Sequence, residues 1–396
     1  MRHASLLLLT FMMSILLCSC WSEREINELA IVTAAGLDRT ESGKIRLTLL
    51  LAVPRLFGTG SAQGGGEAKL ESSAGWVVSE EGDTIMDITR MLQKKLPRVI
   101  TYSHCRVLII GDSLARDGIT RVLDFFERFR QSQLISYIAV SKTSALDILN
   151  FKPKFEKLTS EVLRSEMGQN LTPSIRLIDF LNYLMSEGIE PYAPVVEIVN
   201  SQDEGKKSSS NLAIKGIAIF KKDRMVGALN DKETRGVLWV KNQVNKGIIT
   251  IEIPGSHKKG KVSSELERVN VSRKVSLHGD KVEVTLTVRI SENIYENTSD
   301  LNLDNEDNVK MIQTQVENAV KERIEDSGKI VQSAYKSDIY GFGQSVYRRY
   351  PKAWNNGLGK RWEEIFPEIK PSIIVRGRII RSGLTNHVIM PRSEQD

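Results

Sequence analysis

The sequence predicts an α+β protein of mixed α/β character, with mixed sheets, packed helices and one long C-terminal helix lying against a sheet. Three observations carry this expectation. Apolar residues fall at every second position near 45–53 and again at 282–290, the period of a strand with one buried face. Strand-like and helix-like segments alternate through the first half, the mark of layered sheet and helix. Val309, Ile312, Val316, Val320 and Ile324 then form a stripe at helical spacing that extends toward Ala334.

Taken in order, the run 29–33 and the alternating Ile45, Leu47, Leu49, Leu51 and Val53 are joined through the polar stretch 38–43, which predicts a hairpin. Residues 58–66 are Gly-rich and read as a surface loop. Trp76, Val77 and Val78 make a short strand. A helix is expected from about Asp83, with Ile85, Ile88, Leu92 and Leu96 on one face and Pro97 ending it. The apolar run 107–110 predicts a strand, and Ile119, Val122, Phe126 and Phe129 a helix. A strand is expected at 135–140, helices at 158–167 and 175–185, and a strand at 195–198.

The segment 201–211 is polar, charged and without period, so it reads as a linker. The expected organisation is therefore a leader at 1–19, an N-terminal α/β domain at 20–200, a linker at 201–212, and a C-terminal α+β region at 213–396, divisible near 265. That region opens with a hairpin, 217–220 turning at Lys222 and Asp223 into Met225 and Val226. A helix at 232–240 follows, then a strand through Ile249, Ile251 and Ile253. Val282, Val284, Leu286, Val288 and Ile290 alternate with charged and polar residues, a one-sided strand. Asp304 or Asn305 is the expected N-cap of the long helix. Glu317 with Lys321, and Glu325 with Lys329, are spaced as supporting ion pairs. A final strand at 373–380 is expected to pack on the helical stripe.

Composition narrows the function classes. At 41% hydrophobic and 26% charged, the chain can bury sizeable cores and does not read as disordered. Its formal charge of +6 comes from cations interleaved with acids. That suits a solvated mixed surface or an anionic bilayer better than nucleic acid, which selects a concentrated basic stripe.

The N-terminus is more specific. Behind Arg2, the apolar stretch 4–19 ends in Leu17-Cys18-Ser19-Cys20. As a helix it would reach roughly 24 Å, short of the ~30 Å hydrocarbon core of a bilayer. It therefore reads as an export leader, with a small residue before Cys20 and an apolar one three positions before it. Three fates compete for this segment: lipidation at Cys20, secretion with free thiols, and an uncleaved anchor. Two acyl chains on a diacylglyceryl thioether give the stable anchoring that one chain cannot, which favours the first. Only Cys105 then remains in the mature chain, so no internal disulfide framework is possible.

The search for chemistry returns little. There is no His-Glu-x-x-His, no Cys-x-x-Cys and no phosphate-binding loop, and no cofactor is expected. Gly58, Gly60 and Gly64 miss the spacing of a dinucleotide fingerprint. His104 adjoins Cys105, yet neighbours on an extended segment point to opposite faces and cannot share a proton. A buried strand cysteine is the expectation. Tyr335, Tyr340, Phe342, Tyr347, Tyr350, Trp354, Trp362 and Phe366 crowd a short region among Lys and Arg. They read first as a tertiary core, then as a partner surface.

Two separated blocks carry a family resemblance. The run from Cys20-Trp21 through Ile26-Asn27-Glu28-Leu29-Ala30 to Gly36-Leu37-Asp38 resembles the mature start of the Ger(x)C family. These are the lipoprotein C subunits of nutrient germinant receptors in endospore-forming bacteria. Farther on, Phe220-Lys221-Lys222-Asp223, Gly227, then Glu233-Thr234-Arg235-Gly236, then Lys336-Ser337-Asp338-Ile339-Tyr340-Gly341-Phe342-Gly343, Tyr350-Pro351 and Trp354 match in the same order. The resemblance implies a non-enzymatic subunit of mixed α/β domains, lipidated at Cys20 and held on the outer face of the spore's inner membrane. Its implied partners are the integral membrane subunits of the same receptor, with membrane lipid bound through Cys20 and no nucleic acid. A lipid-anchored solute-binding protein is the alternative, and it requires a deep cleft between the halves lined by convergent polar groups. An enzyme acting on cell-wall material would need paired carboxylates or a metal cluster in one pocket.

Overall fold

The computed structural model describes residue 3 and residues 25–53, 74–169, 172–201, 209–244, 246–253 and 259–381. Cys20 and the Gly-rich stretch 58–66 lie outside them. Among the described residues, nine strands form one sheet and five a second.

The first sheet grows from the predicted hairpin. Strands β1 (Leu29–Arg39) and β2 (Ile45–Ala52) pair antiparallel, and β3 (Gly75–Gly82) adds to β2. On the other side of β1, β5 (Val107–Gly111) and β6 (Tyr137–Ser141) follow in parallel, then β7 (Tyr192–Ser201). Strands β8 (Ser209–Lys221) and β9 (Arg224–Leu229) close the order antiparallel, and the short β4 (Val99–Thr101) pairs beside the start of β1. The central run 107–111 is buried throughout because helices cover both faces.

One face takes α1 (Ile85–Lys95), α2 (Asp112–Asp117), α3 (Thr120–Arg128) and α6 (Leu177–Met185). The other takes α4 (Ala145–Asn150) and α5 (Thr159–Gly168). The stripe expected on α1 is present, with Ile85, Ile88 and Leu92 buried and Thr84 accepting from the Asp87 amide as N-cap.

The interval expected to be a linker holds strand at both described ends. Ser201 pairs with Ser209 across it, so β7 and β8 run on in the same sheet. From β9 the chain enters α7 (Asp231–Val240), begun by a reciprocal capping box between Asn230 and Glu233.

The second sheet is built on two long strands, β11 (Gly260–His278) and β12 (Lys281–Asn297), flanked by β10 (Ile248–Ile253), β13 (Ser372–Arg376) and β14 (Ile379–Arg381). The alternation at 282–290 holds, and Val282, Val284, Leu286, Val288 and Ile290 are all buried. Helix α8 (Glu306–Lys329) is capped by Asn305 and widens into a π-turn at Ile330–Tyr335. Its buried stripe is Ile312, Val316, Val320 and Ile324, and β13 packs against it as expected. The expected ion pairs are displaced. Lys321 meets Glu325 and Lys329 meets Asp326, while Glu317 accepts from the Gly377 amide at 2.7 Å. Glu317 turns toward the second sheet because an unpaired backbone N–H there costs more than an exposed ion pair returns.

Helices α9 (Phe342–Arg349) and α10 (Trp362–Glu368) follow and pack on each other, α9 also against β11 and α10 against the π-turn. One apolar core runs from the first sheet through this region into the second.

Candidate functional site: a buried charged joint

The most chemically distinctive place in the fold is where segment 336–345 meets both sheets. Its geometry begins at Lys336, which ends the long helix in a left-handed conformation, φ 48°. The chain then dives inward. Ser337 donates to the Phe220 carbonyl of β8 at 2.5 Å. Asp338 follows, 3% exposed, and its carboxylate is fully engaged. One oxygen accepts from the amides of Gly341 (2.8 Å) and Phe342 (3.1 Å), the other from the Gly343 amide (2.7 Å) and the Trp362 indole N–H (3.0 Å). A carboxylate before a helix start suits the positive end of the peptide dipoles. Here it also collects donors that α9 would otherwise leave unpaired.

Two cations approach the same segment from elsewhere. Lys241, at the end of α7, donates to the Ile339 carbonyl at 3.0 Å and lies over the rings of Tyr183 (4.3 Å) and Tyr192 (4.9 Å). Arg273 of β11 donates to the Gly341 carbonyl (3.0 Å) and Ser345 hydroxyl (3.2 Å), with its guanidinium 5.0 Å from the Phe342 ring centre. Aromatic faces compensate part of the water that these cations lose.

The electrostatics follow from burial. It pushes the Asp338 pKa upward, against the pull of the amides and of Arg273. Burial also pulls the Lys241 ammonium down to about 7, helped by the repulsion of Arg273 and opposed by Asp338. Glu190 is raised by burial too. Its side chain accepts from the Lys222 amide at 2.6 Å, and its own amide donates to the Asp338 carbonyl at 3.0 Å.

Close backbone contact completes the joint. Gln344 donates to the Gly188 carbonyl at 2.6 Å. Gly188 has φ 71°, and a Cβ there would sit 2.3 Å from the Gly343 carbonyl carbon. Only glycine fits.

Chemically, this arrangement holds rather than reacts. Asp338 has no oxygen free to take a proton from a substrate, and its donors are backbone amides and an indole. Among the described residues no group of His, Cys, Asp and Glu is placed to hold a metal ion. A cleft of about 280 Å³ opens beside the joint, small for a ligand pocket. Its acids are committed: Glu187 to the Trp354 indole, Glu190 to the Lys222 amide, Glu363 to Lys221.

The residues singled out by sequence are distributed plainly. Cys105 is buried, its thiol pushed up to about 12, and His104 beside it is exposed, so no dyad forms. Tyr340, Phe342, Trp354, Trp362 and Phe366 are core, while Tyr335, Tyr347 and Tyr350 are half-buried against it. Cys20 lies outside the described residues. Asp338, Lys241 and Arg273 were not anticipated as a set. The available signal was an aspartate followed at three and five residues by glycines, beside aromatics.

Comparison with known proteins agrees along the chain. The family described as the spore germination protein N-terminal domain matches residues 22–198, and the spore germination B3/GerAC-like C-terminal family matches residues 215–383. The chain is 30% identical over 376 residues to a putative spore germination protein YfkR of Bacillus subtilis (strain 168), covering 95% of this chain and 96% of that protein. It is 24% identical over 412 residues to spore germination protein KC of the same organism, covering all of both. The crystal structure of the GerBC protein superposes with a TM-score of 0.56 at 18% identity, over 88% of this chain and 97% of that one.

Proposed function

Since this chain belongs to the Ger(x)C family of spore germination proteins, a non-enzymatic family of germinant-receptor C subunits, we propose that it is the membrane-tethered coupling subunit of a nutrient germinant receptor. The observation that carries this reading is the family match in two consecutive blocks across nearly the whole mature sequence. Cys20 is the lipid attachment site, an N-acyl, S-diacylglyceryl cysteine on the extracytoplasmic face of the spore inner membrane. On this reading the two acyl chains supply the hold; among the described residues no helix is long and apolar enough to cross a membrane. Confinement near the bilayer raises the effective concentration of the subunit for its integral membrane partners. The joint around Asp338 ties the two sheets into a body able to pass a displacement on rather than absorb it. The acids of the adjoining cleft are committed within the fold, which weighs against the solute-binding alternative at that place.

The test is co-purification from spore membranes in mild detergent, comparing the intact chain with Cys20→Ala. The intact chain is expected to bring down the integral subunits of its receptor, and the variant to appear in the soluble fraction. Recovery of no integral membrane partner overturns the receptor reading. An intact leader, or an unmodified Cys20 by mass spectrometry, overturns the anchor.

A further inference from the structure

One end of the first sheet brings together the chain's approach from Cys20, an exposed aromatic and a group of lysines. Strands β1, β4, β5 and β6 run parallel and all begin there, Leu29 beside Val99, Ala34 beside Val107 and Val107 beside Tyr137. Helix α4 turns the chain back over the sheet from the opposite end. Its first amides are held by the Asp38 carboxylate at the far end of β1, at 2.7 and 3.1 Å, and Ala145 and Leu149 pack over Gly36. After the connection 151–157, Leu158 packs with Leu50 over Gly75. Gly75 pairs with Ala52, next to the Leu51 that faces Val32 early in β1. The connection 151–157 therefore sits at the end where β1 enters.

Phe155, at the centre of that connection, is 96% exposed. Lys152, Lys154 and Lys157 flank it, with Glu156 the one acid among residues 151–157. Ile26 and Val99 are exposed at the same end, 69% and 37%. A single exposed apolar residue needs no explanation. An aromatic standing clear of the body among lysines matches the chemistry of an anionic membrane interface, where rings enter the headgroup layer and cations remain at the surface. The tether supplies the orientation. Five peptide steps separate Cys20 from Glu25, a reach of at most ~18 Å, so a lipidated cysteine keeps this end of the sheet near the bilayer.

We propose that the sheet end bearing Phe155 and its lysines is a second membrane contact, which seats the ring among anionic lipid headgroups and fixes the orientation of the tethered body. The orientation rests on lipidation at Cys20, whereas the chemistry of the loop does not.

The experiment has two arms. In the first, the full lipidated chain is reconstituted in phosphatidylglycerol vesicles, with an environment-sensitive dye on Phe155→Cys or, at the opposite end of the sheet, on Thr143→Cys. Buried Cys105 does not compete for the label. The dye at 155 is expected to be quenched by headgroup-region spin-labelled lipid at least about twofold more than the dye at 143. Equal quenching overturns the proposal, as does shielding of 155 that requires co-reconstituted receptor subunits. In the second arm the mature chain carries Cys20→Ser and no lipid. It is expected to sediment with phosphatidylglycerol vesicles more than with phosphatidylcholine vesicles. Combining Phe155→Ser, Lys152→Ser and Lys154→Ser should lower that binding by roughly tenfold or more, since one lysine near an anionic surface contributes about fivefold. Equal sedimentation with both lipids, or no response to the substitutions, overturns it. Because this arm carries no acyl chain, its outcome tests the loop whether or not Cys20 is lipidated.

Discussion

The joint around Asp338 and the loop around Phe155 use the same two materials, charge and aromatic rings, in opposite ways. At the joint, Asp338 is enclosed and every acceptor site is matched by a donor. At the loop, Lys152, Lys154 and Phe155 stand out from the body. A buried charge has value only while its partners stay in place, so the joint is a structural commitment. An exposed charge contributes little to folding and is free to meet something else. The contrast separates what holds the protein together from what it offers outward.

Substitutions sharpen that contrast in descending order of effect. Asp338→Ala leaves three amides and an indole without their acceptor and removes the negative charge that attracts Arg273, and is expected to destabilise by about 3–5 kcal/mol in denaturant unfolding. An unfolding midpoint like that of the unaltered chain would mean that the joint is not a commitment at all. Gly188→Ala places a methyl against the Gly343 backbone at positive φ, and should cost at least ~2 kcal/mol through strain and displacement of α9. Val or Thr there should cost more.

Lys241→Met tests the electrostatics. The native ammonium is pulled down from 10.5 to about 7, so between those values the unfolded chain binds a proton that the native chain does not. Native stability should therefore rise with pH across this window, by up to about 1.4 kcal/mol per unit. Below about pH 7 the contribution is flat. The difference in Tm between the unaltered chain and Lys241→Met should shift in favour of the unaltered chain as pH rises from 7 to 10. A parallel pair of curves would rule out a desolvated Lys241. The smallest effect belongs to the loop: Phe155→Ser should change stability by less than about 0.5 kcal/mol while altering vesicle binding. A large loss of stability would show that the ring belongs to the fold.

A second buried acid marks the limit of the pattern. Glu292 is fully buried, accepts from Ser264 at 2.5 Å with one oxygen, and leaves the other without a partner. Burial raises its pKa, so its contribution to stability is present at acid pH and is lost as pH rises through the native value. Glu292→Gln should be neutral or mildly stabilising at neutral pH, by up to about 1 kcal/mol, the opposite of the result at Asp338.

Legibility in the sequence followed periodicity. The hairpin of β1 and β2, the stripe of α1, the alternation in β12 and the stripe of α8 all declare themselves, because each buries one face of a regular element. Strand β11 did not, although it is the longest. Its register breaks between Ser263 and Ser264 and again between Leu266 and Arg268, and such bulges erase a period of two. Beyond them, positions 267–274 are exposed or half-buried, so little apolar signal remains. Short helices such as α2 and α4 were also missed, since six residues carry hardly two turns of pattern. The linker expected at 201–212 had the right composition, but composition cannot report that its flanks pair with each other.

The sequence alone determined the elements whose burial is periodic, the absence of familiar catalytic motifs, and the resemblance that led to the family. Only the tertiary structure decided that Asp338, Lys241 and Arg273 meet, and that the loop of Phe155 shares an end with the entry of β1. The reason is physical: periodicity records how one element faces its neighbours. A joint or a shared surface arises from residues a hundred positions apart, whose proximity is fixed by packing and leaves no local trace.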